Sequence, residues 1–580
     1  MEHGQRRRRS GRQWQRQWRQ CSCLFTALVL VITLGSGSGG LGAQTPPPPA
    51  ASQLPAIAIL PQPASLTQQP GVFVLKRDTT IATDVDSQNA GQLLAQSLNT
   101  ATRFGLRART GTTAPDKNAI VITTDRTQMQ LGEEGYQLEV TPDRVMIRSF
   151  GPAGAFWGTQ TLRQLLPPQI FSQEAAPSSV NWTIPCLKIE DMPRFPWRGL
   201  MIDTARRFVP KLELMKFIDL LALHKMNTLQ LHLTDDQGWR IEIKKYPKLT
   251  AIGSVRKETR VGHETKSKLF DSTPYSGFYT QGDIREIVNY AKARYVNIVP
   301  EIELPGHAQA AIAAYPELGC TTDTVEVSTH WGVHTRLLNP SDTTIAFLQD
   351  VLTEVIALFP SRYVHIGGDE VVKDEWKASP AVQARMKELK LADEADLQNY
   401  FVRQMDSFLS QRGRRLVGWD EILQPTLAPG AVVMSWRGTD GGTAAAKAGH
   451  DVVMAPTSSV YFDYYQSKSP TEPLAIGGFL PLDKVYAFEP VPTGLSNDEA
   501  RHILGAQGQI WTEYIPNATH LEYMAFPRAV ALAEAVWSQP DRRNFDDFHT
   551  RMLTHEQRLK LAGVTARPMA KFDEERKVGQ

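Results

Sequence analysis

From Trp197 onward, the sequence alternates short strand-like runs with amphipathic helical stretches, and this alternation constrains the fold more than any other feature. Repeated strand–helix units predict a parallel sheet whose faces are covered by helices. Eight such strand-like runs are present: Gly199–Ile202, Thr228–Leu233, Val296–Ile302, Tyr363–Ile366, Arg415–Gly418, Val432–Ser435, Asp451–Ala455 and Gly505–Ile510. They suit an α/β fold of the (β/α)8 type, a TIM barrel with insertions, which we place at residues 194–565.

Polar and aromatic residues follow nearly every one of these strands. In a (β/α)8 barrel the chemistry sits where strands end and loops begin, so these side chains should meet at one rim. They are Asp203, Arg206, Asp235, Asp236, Glu301, Glu303, His307, Asp369, Glu370, Trp419, Asp420, Glu421, Trp436, Arg437, Tyr461, Asp463, Trp511 and Glu513. A sugar ring has apolar faces that stack on aromatic rings and hydroxyl groups that bind Asp, Glu and Arg, so the rim predicts a carbohydrate site.

One run, Gly367–Glu370, carries a stronger functional signal than the rest. A single Asp or Glu on a loop is usually a solvated surface charge. Here two glycines leave room for close approach of the backbone, and two acids then follow the buried strand Tyr363–Ile366. Glycoside cleavage needs a protonated carboxylic acid at the leaving oxygen and a negative charge near the oxocarbenium-like centre. Asp369 and Glu370 are therefore the candidate catalytic residues.

A different pattern precedes the barrel. Residues 57–193 mix short β-like runs with helical ones, which indicates a small α+β domain. The β-like runs are Gly71–Leu75, Ala119–Thr123, Gly135–Val140 and Arg144–Arg148, and the helical runs are Gln88–Thr100 and Ala153–Leu166. A Pro-rich spacer at residues 44–56 precedes this domain, and we expect a C-terminal tail at residues 566–580.

The first 43 residues have the pattern of a secretory signal. An Arg-rich stretch leads into the uncharged apolar run Leu24–Leu34 and then to small residues at Leu41–Ala43. We therefore expect export to the periplasm or the extracellular space. The apolar run is shorter than the roughly 20 residues that span a bilayer, but an uncleaved membrane anchor at Cys21–Leu41 stays open.

The charge of the chain argues against nucleic-acid binding, and its cysteine content limits the number of disulfides. Lys and Arg total 63, Asp and Glu total 61, and seven of the Arg lie in the signal segment, so the rest of the chain is mildly acidic. Such a chain offers no broad basic face for nucleic acid. Without the signal, only Cys186 and Cys320 are left, which allow at most one disulfide and leave their pairing open.

The sequence gives little support for a metal or a cofactor. The histidines His224, His232, His307 and His365 lie on different predicted elements and form no ligand-spaced cluster. No Gly-rich phosphate-binding loop precedes a helix. We therefore expect neither a metal nor a cofactor in the site.

Four longer motifs lie in order along the predicted barrel, and two more lie in the domain before it. They are Trp197–Gly199 with Asp203–Phe208, Leu231–Trp239, Pro300–His307 and His365–Glu370, and upstream Gly135–Val140 and Gly158–Leu162. Together they resemble the motifs of the family 20 glycoside hydrolases, the β-N-acetylhexosaminidases. The resemblance covers nearly the whole chain after the signal. It implies an exo-acting enzyme that removes terminal non-reducing GlcNAc or GalNAc from glycans or chitooligosaccharides.

The resemblance also implies a retaining, substrate-assisted mechanism without an enzyme nucleophile. The 2-acetamido oxygen of the substrate attacks the anomeric carbon, and water then opens the oxazolinium intermediate. By position in the motif, Glu370 would protonate the leaving oxygen and later deprotonate the water. Asp369 would orient the acetamido N–H and stabilise the positive charge that develops.

Aromatic residues of the family pocket have counterparts here, as the same resemblance implies. Trp419, Trp436 and Trp511 would enclose the acetamido methyl group. Tyr461 would donate a hydrogen bond to the acetamido oxygen. These contacts would hold the internal nucleophile in attacking geometry, an entropic contribution that can reach several kcal/mol.

The polar binding residues are implied in the same way. Arg206, Asp463 and Glu513 would bind the sugar hydroxyls at positions 3, 4 and 6. Asp235 and His307 would tune Glu370, although a purely structural role of His307 in its turn stays open.

Several alternatives remain at this level. Family members often show Ser-Arg-His where this chain has Ala205–Arg207, which puts the effect of Arg207 on the sugar site in doubt. A glycan-binding protein that has lost catalysis is a rival hypothesis, and so is an enzyme that releases a disaccharide. The loops Gly262–Gly277 and Thr321–Arg336 would decide the depth of the site. The choice between GlcNAc and GalNAc, the linkage, the natural substrate and the oligomeric state stay open.

Overall fold

Eight parallel strands close into a barrel, as the alternation of strand and helix runs predicts. The computed structural model describes residues 56–111, 113–424 and 427–578. Each barrel strand pairs with its neighbours in chain order, and the last pairs with the first. The strands are Trp197–Asp203, Thr228–His232, Asn297–Leu304, Tyr363–Gly367, Arg415–Trp419, Val432–Ser435, Asp451–Met454 and Ile503–Ile510. They are referred to below as barrel strands one to eight.

The predicted strand positions agree with the observed barrel, and no strand end differs by more than two residues. The agreement follows from burial, because strands that are covered on both faces are rich in apolar residues and stand out in the sequence. All seven residues of barrel strand one and all five of barrel strand two are buried.

Helices cover the outside of the barrel and fill the connections between its strands. They are Lys211–Leu223, Lys248–Ala251, Gln281–Lys292, Gln309–Ala314, Asp342–Leu358, Asp374–Ala378, Pro380–Glu388, Glu394–Ser410, Asp440–Lys447, Thr457–Val460, Leu482–Tyr486, Asn497–Ala500, Ala518–Ala525, Arg528–Trp537, Phe545–Leu561 and Met569–Val578. Short 3-10 turns lie at Met129–Leu131, Pro168–Phe171, Pro316–Leu318, Asp420–Ile422 and Pro540–Arg542. Three further two-stranded pairs lie in the loops: Thr234–Asp235 with Gly238–Trp239, Val255–Arg256 with Tyr275–Ser276, and Arg260–Val261 with Leu269–Phe270.

Helix Gln281–Lys292 shows how local sequence fixes these elements. Thr280 and Asp283 form a capping box that satisfies free N–H groups at the start of the helix. Ile284 and Ile287, with Val288 and Ala291, form its buried stripe at helical spacing. The helix therefore packs against the barrel just before strand three.

The domain before the barrel is a seven-stranded mixed sheet with two helices, Gln88–Thr102 and Pro152–Leu165. In spatial order its strands are Ser65–Val74, Thr183–Asp191, Tyr136–Val140, Arg144–Ser149, Ala119–Thr124, Thr80–Thr83 and Ala108–Thr110. Three of them, Thr80–Thr83, Ala108–Thr110 and Thr183–Asp191, were not among the predicted runs. The first two are short, and Pro185 interrupts the strand pattern of the third.

A buried polar cluster around Asp191 joins this sheet to the barrel. The Asp191 carboxylate accepts hydrogen bonds from Lys225 Nζ at 2.7 Å, Trp537 Nε1 at 2.9 Å and Tyr136 OH at 2.7 Å. Lys225 precedes barrel strand two, so the sheet packs at the end of the barrel where strands begin. The opposite end, where strands finish, is left for the rim residues.

Other predictions concern the ends of the chain and its cysteines. The predicted signal at residues 1–43 and the spacer up to residue 55 lie outside the described residues. The predicted tail at residues 566–580 contains the helix Met569–Val578. Cys186 and Cys320 are both free thiols. Within the described part of the chain, no helix has the length and apolar character that crossing a membrane requires.

Candidate active site

All eleven predicted site residues line one cavity at the end of the barrel where the strands finish. They are Arg206, Asp235, His307, Asp369, Glu370, Trp419, Trp436, Tyr461, Asp463, Trp511 and Glu513. Seven further residues complete its lining: His232, Glu303, Gly332, Val333, Thr457, Tyr464 and Ile476. The cavity volume is about 230 Å³, which is smaller than most sites for drug-sized ligands and fits a single sugar ring.

The backbone after barrel strand four separates Asp369 from Glu370. Gly367 and Gly368 have φ values of 67° and 90°, and a Cβ on Gly367 would lie only 1.7 Å from Glu303 Oε2. Only glycine fits such a position. Glu370 itself has a φ of 48°, a strained conformation for this residue. As a result the Asp369 side chain is 11% exposed and that of Glu370 36% exposed, so one acid lies inside and the other at the mouth.

Asp369 is a buried carboxyl group with one free oxygen. Its Oδ1 atom is buried and has no hydrogen-bond partner in the protein. Burial raises the pKa of Asp369 to about 6, and the negative charges of Glu370 and Glu301 add to the shift, while His307 opposes it. Asp369 is thus an acceptor aimed at a ligand, and its charge depends on pH near neutrality.

This raised pKa gives a testable pH dependence. If the charged form of Asp369 is the active one, kcat/KM should fall as pH decreases through about 6, because protonation removes the charge. The measurement is kcat/KM for an aryl N-acetylglucosaminide between pH 4 and pH 8. A constant kcat/KM down to pH 4.5 would contradict the assigned role of the Asp369 charge.

His307 links Glu370 to the interior of the barrel. Its Nε2 lies 3.4 Å from Glu370 Oε2, and its Nδ1 lies 3.3 Å from Asp235 Oδ1 and 3.1 Å from Asp236 Oδ2. Although burial disfavours the charged ring, the neighbouring carboxylates, Asp235 first, hold the pKa of His307 well above its usual value. His307 therefore places a cation beside Glu370. Its role is not limited to the structure of its turn.

Arg206 closes the inner end of the cavity. Its Nη2 lies 2.7 Å from Asp235 Oδ2, its Nη1 lies 3.4 Å from Asp203 Oδ2, and its Nε donates to Gln237 at 2.9 Å. Burial works against the charge, but Asp235 and then Glu513 raise the pKa of Arg206 well above its usual value. The guanidinium is thus a fixed cation with a planar set of donors.

Two further carboxyl groups lie near this end of the cavity. Both oxygens of Asp463 are buried and lack a hydrogen-bond partner in the protein. Burial raises the pKa of Asp463 well above its usual value, and the charge of Glu513 adds to this shift. Burial also raises the pKa of Glu513, against the attraction of Arg206. Buried polar atoms without partners are costly, so the Asp463 carboxyl group is poised to bind hydroxyl groups of a ligand.

Aromatic side chains form the walls of the cavity. The rings of Trp419 and Trp511 lie 5.9 Å apart, and those of Trp436 and Tyr461 are stacked at 6.3 Å. Trp436 Nε1 donates to Glu421 Oε2 at 3.0 Å, which fixes the ring from outside the cavity. Together these rings give an apolar pocket with few orientations available to its ligand.

A chain of close contacts between histidines and carboxyl groups lies beneath the cavity and was not predicted from the sequence. His232 Nε2 lies 2.9 Å from Asp235 Oδ2, and its Nδ1 lies 2.9 Å from Glu301 Oε2. Glu301 Oε1 lies in turn 2.9 Å from His365 Nδ1. The barrel register pairs Glu301 with both histidines, so three neighbouring strands place them in one layer. These residues occupy equivalent positions on barrel strands two to four. This equivalence can be recognised in the sequence only when the pairing register of the strands is known.

The structure corrects the expectation that no ligand-spaced cluster includes the histidines, because His232 and His307 each lie in such a group with acidic residues. Three groups bring ligand atoms within 4.8 Å of one another: His232 with Glu301 and Glu303, Asp235 with Asp236 and His307, and His307 with Asp369 and Glu370. His232 and His307 each already contact carboxylates in ion pairs. The expectation that the site holds no metal stays a prediction.

The two loops considered from the sequence have different roles. Gly332 and Val333 of the loop Thr321–Arg336 line the cavity, and no residue of Gly262–Gly277 does. Glu264 of the second loop accepts a hydrogen bond from the backbone N–H of Trp331 at 3.1 Å. The second loop thus supports the first rather than contacting a ligand.

Arg207 points away from the cavity that Arg206 lines. Its guanidinium lies 5.4 Å from the ring centre of Tyr275 and 5.6 Å from that of Trp331. Arg207 is therefore a packing residue in this structure, which answers the doubt raised by the Ala205–Arg207 sequence.

Comparisons with known proteins agree with this geometry. Residues 195–540 match the family model described as glycosyl hydrolase family 20, catalytic domain, and residues 56–192 match glycosyl hydrolase family 20, domain 2. A beta-hexosaminidase of Porphyromonas gingivalis is 43% identical over 88% of this chain, and the match spans 64% of that relative's length. A beta-N-acetylhexosaminidase of Cellulomonas fimi is 33% identical over 87% of this chain and 94% of its own.

Solved structures give the same result. An exo beta-N-acetylglucosaminidase of Vibrio harveyi in complex with N-acetylglucosamine superimposes with a TM-score of 0.78 at 34% identity, over 89% of this chain and 80% of that one. A mutant beta-hexosaminidase of Streptomyces plicatus in complex with GlcNAc gives a TM-score of 0.76 at 31% identity, over 89% and 98% of the two chains.

Proposed function

The chain belongs to glycosyl hydrolase family 20, as a glycoside hydrolase of the β-N-acetylhexosaminidase type, and we propose that it uses substrate-assisted catalysis with retention. Its substrates are glycans or chitooligosaccharides with a terminal, non-reducing β-linked GlcNAc or GalNAc. One observation carries this proposal: a buried carboxyl group with a free oxygen, Asp369, adjoins a second acid, Glu370, at the mouth of an aromatic cavity.

The first chemical step divides the work between the two acids. Glu370, at the mouth, protonates the leaving oxygen while the acetamido oxygen of the substrate attacks the anomeric carbon. Asp369 accepts a hydrogen bond from the acetamido N–H at its free Oδ1 atom and stabilises the positive charge of the oxazolinium ion. In the second step Glu370 removes a proton from water, which opens the ring with retention, and His307 beside it stabilises the carboxylate between the steps.

The inner end of the cavity supports exo-action on one sugar. Arg206, Asp463 and Glu513 line it with buried polar groups. These groups suit the hydroxyls of a terminal sugar. A sugar bound there would have its leaving group at the mouth of the cavity. Release of a disaccharide would require a deeper cavity than this one.

Turnover of aryl substrates tests the proposal. We expect hydrolysis of an aryl β-N-acetylglucosaminide with release of the monosaccharide, and essentially none of the matching aryl β-glucoside, which lacks the nucleophile. A protein that binds GlcNAc without turnover would be the glycan-binding alternative, and a disaccharide product from longer substrates would contradict exo-action on one sugar.

The role of Arg206 gives a prediction with a matched control. Arg206→Lys keeps the charge but loses the planar donors, so kcat/KM should fall about tenfold to a hundredfold, which corresponds to one charge-assisted hydrogen bond. Arg207→Lys, which changes a guanidinium outside the cavity, should leave kcat/KM close to that of the wild type. Equal effects of the two substitutions would rule out a specific binding role for Arg206.

We also propose that the protein is exported, because the first 43 residues have the order of an Arg-rich, an apolar and a small-residue segment. Sequencing the N-terminus of protein from the native cell should show that these residues are absent. Intact Met1 or Glu2 on a cytoplasmic species would contradict export, and their retention on a membrane-bound species would indicate the uncleaved anchor.

A further inference from the structure

A second cavity opens beside the sugar-sized one and shares its rim. Glu370 and Val333 line both cavities. The second cavity, called the outer groove here, has a volume of about 590 Å³. The acid of a glycosidase lies between the two halves of its substrate, so the shared Glu370 puts the outer groove on the side of the leaving group. This placement rests on the proposed function of Glu370.

The outer groove differs from the inner cavity in chemistry. No Trp, Tyr or Phe among the described residues lines it, whereas three Trp line the inner cavity. Its polar lining includes Gln398, Gln424 and Arg437. A sugar in this groove is therefore recognised by hydrogen bonds and charge and not by stacking on a ring.

Most charges in the groove are already neutralised. Arg437 Nε lies 2.6 Å from Asp420 Oδ1, which forms an ion pair. Glu421 Oε1 lies 3.5 Å from the same Nε atom, so Arg437 faces both carboxyl groups. Glu370 Oε2 lies 3.4 Å from His307 Nε2, and neighbouring carboxylates hold the pKa of this histidine well above its usual value.

Lys373 is the exception. It lines the outer groove and is half-buried. Its ammonium group has no hydrogen-bond or ion-pair partner among residues 56–111, 113–424 and 427–578. Among the described residues, Lys373 is therefore the one charged group of the lining without an oppositely charged group beside it, and it lies next to the position of the leaving group.

We propose that the outer groove binds the leaving-group sugar and favours one that carries an anionic substituent, with Lys373 as the residue that determines this preference. A carboxylate and a sulfate share the required chemistry. Neutral leaving groups are still accepted, because the remaining lining offers uncharged hydrogen-bonding groups.

Four disaccharides that differ in one substituent of the reducing sugar test this proposal. The first is chitobiose, which is neutral. The second has the same β-1,4 linkage but carries a 3-O-lactyl carboxylate on the reducing sugar, and its methyl ester is the uncharged control. A third disaccharide with a 6-sulfate on the reducing sugar separates sulfate from carboxylate.

For the wild type we expect kcat/KM for one or both anionic disaccharides to exceed that for the neutral ones by about twofold to fivefold, the range of a partly exposed ion pair. This ratio should decrease at 0.5 M NaCl, because salt screens exposed charges. Lys373→Gln should bring the ratio to about one. Lys377→Gln, four residues on and exposed outside the groove, should leave it unchanged.

The outcomes separate this inference from the proposed function. Hydrolysis of chitobiose with no preference for either anionic disaccharide would overturn the role of Lys373 and leave the proposed function intact. An unchanged ratio in Lys373→Gln would do the same. Failure to hydrolyse any of the disaccharides or an aryl N-acetylglucosaminide would instead contradict the proposed function itself.

Discussion

Replacing Glu370 by Gln is expected to lower kcat/KM for chitobiose by about a hundredfold to ten-thousandfold, the contribution of a general acid. The substitution keeps the shape of the side chain and removes its proton. Aryl glycosides with good leaving groups should lose less, because such leaving groups need little protonation. The measurement is kcat/KM for a series of N-acetylglucosaminides whose leaving groups differ in pKa.

The dependence on the leaving group is the internal control of this experiment. The Glu370 side chain is 36% exposed, so the variant should fold and keep its melting temperature. Equal losses for good and poor leaving groups would show that Glu370 does not act as the acid.

Replacing Asp369 by Asn is expected to lower kcat for N-acetylated substrates by about a hundredfold to a thousandfold, as the loss of one preorganised electrostatic contact does. Asn nearly conserves the shape but cannot supply the negative charge opposite the oxazolinium ion. A thiazoline analogue of that intermediate should lose affinity in parallel, because a stable mimic binds through the contacts that stabilise the reactive species. Inhibition constants for wild type and variant provide the comparison.

Burial makes this substitution informative. Asp369 Oδ1 has no partner within the protein, so its loss affects the ligand and not a structural hydrogen bond. A variant with strongly reduced turnover but undiminished thiazoline affinity would show that Asp369 does not stabilise the charge of the intermediate.

The barrel and the rim could be predicted because burial and position alone define them. Strands such as Val432–Ser435 are buried throughout and almost entirely apolar. Acids such as Asp369 come within two residues of a strand end. These features are local in the sequence.

The supporting contacts could not be predicted, because they depend on register and on loops. His232, Glu301 and His365 meet only through the pairing of three strands. Val333 reaches the rim from a loop whose path is set by contacts such as that of Glu264 with the Trp331 backbone. The direction of Arg207 likewise follows from the rings that it packs against, which lie far from it in the sequence.

The central claim is that the acetamido oxygen of the substrate is the nucleophile, and a series of aryl glycosides tests it most directly. In this series the N-acetyl group carries zero, one, two or three fluorine atoms, which progressively reduce the nucleophilicity of its oxygen. The account predicts that kcat falls steeply and monotonically with each added fluorine. A kcat that is insensitive to fluorine, together with a covalent glycosyl ester on a carboxylate of the protein, would contradict it.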